Sequence, residues 1–342
     1  MTAAETALTS LLEETATGYM AASVLFAAVE LGLIDALAEP CTVEELAQRT
    51  GATADGLARL CRVLAGMGLL HREGNRFLAP APLRAVLGEQ GDASIAAVLR
   101  HHHRHVAPLL SRLAEGVRSG KPQHAAWRFA SAPPAEAPYA ELARHPDEYA
   151  TFLAAMDHAS RGVGDAIVRT VDLSAVRSLV DLGGGGGQVA RELLGALPLV
   201  RIEGFDVAAA CSFARARSAA AGFSERHTVA PGDLLDECPV RDADAVLLSA
   251  ILADWTSSER AIILRRAYDA LRPGGRLLVS ETLLDDDRRG PPKPAMLSLV
   301  MLVAMRGDQL TESELRAELA AAGFSSVRVH RMAPRDLVVA HR

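Results

Sequence analysis

At 342 residues the chain is longer than one ordinary hydrophobic core fills, and its 49% apolar content is enough for two domains. A formal net charge of −6 argues against a nucleic-acid surface, while leaving room for a local basic patch. Four cysteines, Cys41, Cys61, Cys211 and Cys238, are scattered without metal-ligand spacing, which predicts small core residues in a reducing compartment, with no structural disulfide and no metal site.

The segment Met1-Thr-Ala-Ala-Glu-Thr6 is acidic where a secretory leader is basic, and no apolar run reaches membrane-span length. The expected location is the cytoplasm, with no membrane partner. Residues 8 to 38 carry helical apolar spacing through Leu8, Leu11, Leu12, Met20, Val24, Leu25, Ala28, Leu31 and Leu33, with interruptions expected near Gly18 and Gly32. Their apolar faces exceed what a small domain buries alone, which predicts a homodimer. Thr42-Val-Glu-Glu45 is a capping-box pattern opening a helix that stops at Gly51, and Thr53 opens another that ends at Gly68. Residues 69–78 follow as two short strands around a Gly-Asn turn. Helix, helix and hairpin make a winged helix, used either to read DNA or as a dimerisation scaffold. The second helix offers only Arg59 and Arg62 as cations, so the scaffold is preferred.

Residues 80–171 are mostly helical, with a Pro/Ala-rich break at 130–138, and form a bridge. It carries His101-His-His-Arg-His105 and Met156-Asp-His-Ala-Ser160 on helical stretches. Beyond 171 the pattern alternates strand and helix, with strands at 178–182, 201–206, 226–230, 243–252 and 276–284, which predicts a parallel sheet. The strands 326–331 and 336–341 are joined by a short turn at Pro334 and should be antiparallel.

The most informative stretch is Ser178-Leu-Val-Asp-Leu-Gly-Gly-Gly-Gly-Gly-Gln188, an apolar strand ending in an acid and five glycines that pass into a helix. Glycines there allow positive φ and close approach of a ligand, and the free N–H groups of a helix start favour hydrogen-bond acceptors. The dinucleotide pattern G-x-G-x-x-G fails, because its third glycine falls on Gln188 or Val189. What remains is D-x-G-x-G-x-G. A second apolar stretch ends in Phe205-Asp206, about 20 residues beyond the first glycine, where doubly wound folds place an acid on ribose hydroxyls.

These elements, with Pro231-Gly-Asp-Leu-Leu235, Leu247-Leu-Ser-Ala-Ile-Leu-Ala-Asp-Trp255, Leu271-Arg-Pro-Gly-Gly-Arg-Leu-Leu-Val-Ser-Glu281 and Met301-Leu-Val-Ala-Met305, give the chain a specific likeness. It resembles the plant-type, caffeate-like O-methyltransferases dependent on S-adenosylmethionine (SAM), and their bacterial relatives that tailor secondary metabolites such as anthracycline antibiotics. The resemblance implies an α/β fold, with a Rossmann-like seven-stranded SAM-binding domain at 171–342, a helical bridge at 96–170 contributing to the substrate pocket, and an N-terminal, mainly α winged-helix dimerisation domain at 1–95. It implies that Asp181, Gly183, Gly185 and Gly187 line the methionine end of SAM, that Asp206 takes the ribose, that Asp233 and Leu234 hold the adenine, and that Ser249 approaches the methionine moiety. Trp255, Met301, Met305 and His102 are the candidate substrate contacts, although Trp255 serves equally well as a core aromatic under the pocket.

One departure stands out. Family members that methylate phenols carry a His before the Asp-Trp pair as general base, steadied by two glutamates. Here that position is Ala253, one glutamate is Glu281 and the other is Gln309. Anthracycline-tailoring relatives also lack this His and still methylate. His158, on a helix whose family counterpart lines the methyl side of SAM, is the candidate replacement base, with the 101–105 histidines as a second source. The expected activity is methyl transfer to a hydroxyl of an aromatic or polyketide-like metabolite. The alternatives are C-methylation, non-methylating chemistry on the same cofactor, and a SAM-sensing winged-helix regulator.

Overall fold

A computed structural model of the protein describes residues 2–89, 93–131, 138–236 and 240–342. The chain divides into two compact units, residues 1–105 and 106–342. Cys238 and residues 132–137 of the Pro/Ala-rich break lie outside the described residues.

In the first unit a helix spans Ala3–Glu30, capped by Thr2 and Glu5. It runs through Gly18 without the interruption expected there, because one glycine costs a helix only about 1 kcal/mol and the helical ladder continues for three turns or more on either side. The break at Gly32 does form, with the glycine in the left-handed region (φ 59°). Thr42 and Glu45 close the expected capping box on helix Val43–Thr50, and Thr53 caps helix Ala54–Gly66. Strands β1 (His71–Glu73) and β2 (Arg76–Leu78) pair antiparallel as the wing. Leu33, Leu37, Leu46, Leu57, Leu64 and Phe77 form the core of this unit. The histidine run departs from a regular helix, since His102–Val106 winds as a π-helix. It brings Nδ1 of His101 within 2.9 Å of Nδ1 of His105. Burial and the neighbouring imidazoles pull the pKa of His101 down to about 3.

The second unit is built on a seven-stranded sheet, β3 (Ser178–Leu182), β4 (Arg201–Asp206), β5 (His227–Pro231), β6 (Ala243–Ser249), β7 (Leu271–Glu281), β8 (Ser325–His330) and β9 (Asp336–His341). Their spatial order is β5-β4-β3-β6-β7-β9-β8, parallel except for β9, which runs antiparallel to both neighbours. The central strands are apolar on both sides because helices cover both faces. Val246, Leu248, Leu277, Val279 and Val338 join one cluster with Ile263, Leu264, Leu315 and Leu319 of helices Ser257–Ala270 and Glu312–Ala321. Ala245, Leu247, Leu278, Leu337 and Val339 point the other way, against Val163 and Ile167 of helix Val163–Thr170 and Leu193 and Leu194 of helix Gln188–Ala196.

Two expected strand ends move. The strand expected over 243–252 stops at Ser249, because Ala250 takes a left-handed φ of 54° and Leu252–Asp254 turns as a 3-10 helix. The strand expected over 276–284 begins earlier and ends at Glu281. Successive parallel strands lead outward from β3 in one direction and from β6 in the other, so the chain leaves a crevice beyond the carboxyl ends of β3 and β6, where open α/β sheets bind ligands.

Helix Gln188–Ala196, which follows the glycine turn, is held at its carboxyl end by Arg226. The guanidinium donates to the carbonyls of Leu194 (2.9 Å), Leu197 (2.9 Å) and Val200 (3.3 Å). Replacing Arg226 by Met keeps the apolar stem and leaves these carbonyls without their charged donor. The expected loss is about 1.5–3 kcal/mol of unfolding free energy in urea, the usual worth of hydrogen bonds to a charged group.

Candidate active site

The five glycines divide into two kinds. Gly183, Gly185 and Gly187 have φ of 77°, 55° and 77°, a region that side chains other than glycine rarely adopt. Gly184 and Gly186 are needed for space, since a Cβ would stand 2.6 Å from Asp181 Oδ2 at the first and 2.2 Å from Asp157 Oδ1 at the second. The turn is tied on three sides. Gly183 N–H donates to the Phe205 carbonyl at 2.8 Å, and Gly185 N–H donates to Asp206 Oδ2 at 2.8 Å. Arg191 donates to the Gly186 carbonyl at 2.5 Å while pairing with Asp157 at 2.9 Å. Asp157 was not among the residues singled out in the sequence. Only its position before His158 on helix Pro146–Ala159 brought it into a quoted segment.

A small cavity beside the turn is lined by Asp181, Gly185, Gly204, Phe205, Asp206 and His227. Asp181 is buried, and desolvation together with the nearby Asp206 pushes its pKa up to about 7. Burial also raises Asp206, against the opposing effect of the Gly185 and Val207 N–H groups that it accepts. His227 stands against Gly187, shares a 2.6 Å hydrogen bond with Ser218, and is driven by burial to a pKa of about 4. It too was missed, because a lone histidine at a strand start carries no pattern. Leu234 lies within van der Waals reach of a Cβ at Gly183. Asp233 is exposed and accepts the Leu235 N–H at 2.8 Å, a turn-capping bond that leaves its second oxygen open.

At the end of β6 the turn carrying Ala253 is clamped from two sides. Glu281, buried at the end of β7, accepts the N–H groups of Ile251 (2.9 Å) and Leu252 (2.8 Å). Its carboxylate thus shapes the backbone beneath Ala253, and burial raises its pKa. Gly307 presses on the same turn, with room for no Cβ, which would meet the Ala253 carbonyl at 2.2 Å. Ala253 is itself buried. Asp254 accepts a hydrogen bond from the Tyr139 hydroxyl, and burial pushes its pKa up to about 7. Gln309 is buried, in the segment running beside Leu284.

The remaining candidates are spread over several elements. Trp255 is half-buried and packs on the larger sheet cluster. Met305 packs with Trp127, Tyr149 and Leu153, and Met301 is half-buried on helix Pro292–Ala304. His158 is half-buried in the last turn of helix Pro146–Ala159. His102 is exposed and belongs to the first unit. Ser249 accepts a hydrogen bond from Arg335 at 3.1 Å.

The sequence matches the O-methyltransferase domain over residues 110–325 and the O-methyltransferase dimerisation domain over residues 13–84. The chain belongs to the O-methyltransferase family. Acetylserotonin O-methyltransferase of Bos taurus is 33% identical over 329 residues, covering 94% of each chain. The 3-hydroxy-5-methyl-1-naphthoate 3-O-methyltransferase of Streptomyces sahachiroi is 33% identical over 325 residues, covering 95% of this chain and 92% of the relative. The crystal structure of human N-acetylserotonin methyltransferase in complex with SAM superposes with a TM-score of 0.89 at 30% identity, covering 100% of this chain and 99% of that one.

This O-methyltransferase is a SAM-dependent enzyme. The residues present fit that cofactor. The glycine turn admits close approach, Asp206 offers carboxylate lone pairs at the end of β4, and Asp181 presents an acid to the cavity. Among the described residues no helix is long and apolar enough to cross a membrane, and Cys41, Cys61 and Cys211 are buried free thiols.

The electrostatics give a pH dependence. The sulfonium and ammonium of SAM favour ionised Asp181, whose pKa in the free protein is about 7. Below 7 binding must expel a proton from this carboxyl, and above 7 it need not. SAM affinity is therefore expected to rise with pH toward neutrality and then level off, and Asp181→Asn should remove that part of the slope in calorimetry on either side of pH 7. A slope unchanged in the variant would take Asp181 out of the linkage.

Proposed function

We propose that this enzyme transfers the methyl group of SAM to a hydroxyl of an aromatic or polyketide-like secondary metabolite, in the manner of antibiotic-tailoring relatives. The observation that carries the proposal is the aromatic wall leading to the Ala253 turn. Tyr139, bonded to Asp254, meets the Phe152 ring edge-on at 5.9 Å, and Phe152 stacks on Tyr149 at 6.0 Å. Such a wall suits a flat apolar acceptor, and the relatives that act on a naphthoate and on acetylserotonin support that class.

SAM supplies a methyl group on a sulfonium, a strong leaving group. The protein has then to hold the acceptor oxygen in line and to receive its proton, and positioning by itself accounts for much of the rate. Ala253 can take no proton. Asp254 can, because a pKa of about 7 leaves it substantially ionised at neutral pH, on the same turn. His158 is the second proton acceptor we infer, one residue beyond the Asp157 that packs on the glycine turn. Met301, Met305 and Trp255 are proposed acceptor contacts, and Asp206, Asp233, Leu234 and Ser249 the cofactor contacts.

Incubating a pool of candidate phenols with SAM and following the products by mass spectrometry tests the activity. An O-methyl ether supports it, while a C-methylated product, or one altered without gain of a methyl group, selects the alternatives that a missing histidine also allows. For the base, loss of Asp254 or His158 is expected to lower kcat by the ~10²–10⁴-fold typical of general acid–base catalysis, with SAM affinity retained. With Asp254 as base, the rate rises as pH passes through about 7, and Asp254→Asn abolishes that rise. Should neither Asp254→Asn nor His158→Ala change kcat at saturating SAM, the acceptor arrives already ionised. A gain in Ala253→His would mark proton removal as the limiting step.

We further infer a homodimer through the first helix. Leu8, Leu11, Leu12, Tyr19 and Met20 are 53–65% exposed within a matched dimerisation domain. That is more large apolar surface than one helix of a monomer ordinarily shows. Light scattering at micromolar concentration should give twice the chain mass, and Leu8→Glu with Leu12→Glu should lower it to that of one chain.

A further inference from the structure

Arg335 sits in the turn between β8 and β9, far in sequence from every motif discussed above. Because Asp336 pairs with Glu281, the turn lies at the carboxyl end of β7, on the ligand-binding edge of the sheet. The Arg335 side chain reaches back across that edge. Nη1 donates to Ser249 Oγ at 3.1 Å, and Nη2 donates to the Ala159 carbonyl at 3.1 Å and Ser160 Oγ at 3.3 Å. All three are uncharged acceptors. Among the described residues no carboxylate forms an ion pair with this guanidinium. Its acidic neighbours, Asp254 and Glu281, lie beyond ion-pair distance, and burial raises the pKa of both.

An arginine stays protonated in a protein, and a half-buried positive charge with neutral hydrogen-bond partners only is poorly compensated. Burial lowers the pKa of Arg335, as that imbalance requires. The position of the charge says which anion completes it. Asp206 at the end of β4 and Leu234 beyond β5 place the adenosine end of the cofactor on one side of β3, as read under the proposed function. Asp181 pairs with Leu247, so Ser249 is level with Gly183 on the opposite side, at β6. A ligand laid across the glycine turn from β4 must bring its other end to Ser249, and the other end of SAM carries a carboxylate.

We propose that Arg335 is the cationic anchor for the α-carboxylate of the cofactor's methionine end, aimed by Ser249. Arg offers parallel N–H groups that suit a carboxylate, and the hydroxyl and carbonyl contacts hold its fork in place before the ligand arrives.

The inference rests on SAM binding at this site, and the test separates the two. Calorimetry on the full chain compares S-adenosylhomocysteine with 5′-methylthioadenosine, which keeps the adenosine and sulfur and has no amino-acid end. In Arg335→Gln the affinity for S-adenosylhomocysteine should fall about 10- to 100-fold, and that for methylthioadenosine should stay within about twofold. Arg335→Lys should recover part of the loss, and Ser249→Ala should show a smaller fall with the same ligand selectivity. A guanidinium repels the ammonium at that end, so a selective fall reports the carboxylate. Equal losses for both ligands would mean that Arg335 only pins the turn to helix Pro146–Ala159, and an unchanged affinity would also overturn the proposal. Wild-type protein that binds neither ligand would defeat the cofactor assignment itself.

Discussion

The 2.8 Å hydrogen bond from Gly185 N–H to Asp206 Oδ2 joins the two strand ends on which the site is built. It closes the glycine turn after β3 onto the acid that ends β4, and so fixes the mouth of the crevice. Everything around it is arranged to allow that closure. Three glycines take a left-handed backbone that side chains resist, and two leave room for Asp181 and Asp157. Arg191 then binds the turn to helix Pro146–Ala159 through Asp157, which connects the cofactor cradle to the helices in front of it.

Charge is the second organising element. Four acids, Asp181, Asp206, Asp254 and Glu281, sit at the carboxyl edge of the sheet, and burial raises the pKa of each. Their roles differ with their partners. Glu281 is engaged by backbone N–H groups and shapes a turn, Asp254 is held by a tyrosine, and Asp181 lines the cavity. A cationic ligand stabilises the ionised forms, so this edge of the sheet is better satisfied with cofactor than without it. The same reasoning explains a buried turn with Ala253 at its centre. Glu281 still holds the backbone beneath Ala253, and the proton acceptor we propose lies one residue further on, at Asp254.

The first unit follows simpler rules. Helices Ala3–Glu30 and Val43–Thr50 start at capping boxes, the wing turns at Gly74, and the small core is filled mostly by leucines. Among what it leaves exposed on the helix Ala3–Glu30 are five large apolar side chains, and the helix lies largely within the matched dimerisation domain.

Local pattern was enough for much of this. The strand at 178–182, the five glycines, the acid at 206 and the antiparallel pair at the carboxyl end follow from period, turn chemistry and spacing, which are properties of neighbouring residues. The capping box at Thr42 and the helix start at Thr53 were legible for the same reason. Where an element ended was less so: Ala250 stops β6 by a left-handed φ that alanine does not announce, and Gly18 passes unnoticed inside a long helix. Residues that act through long-range contact left no trace in the sequence at all. Asp157, His227, Tyr139, Gly307 and Arg335 are separated from their partners by up to 176 residues, and no spacing rule links such positions. Only the folded sheet, by carrying the ends of β3, β4, β6 and β7 to one edge, decides that Arg335 meets Ser249 and that a tyrosine faces Asp254, because burial and proximity arise from packing rather than from the order of residues along the chain.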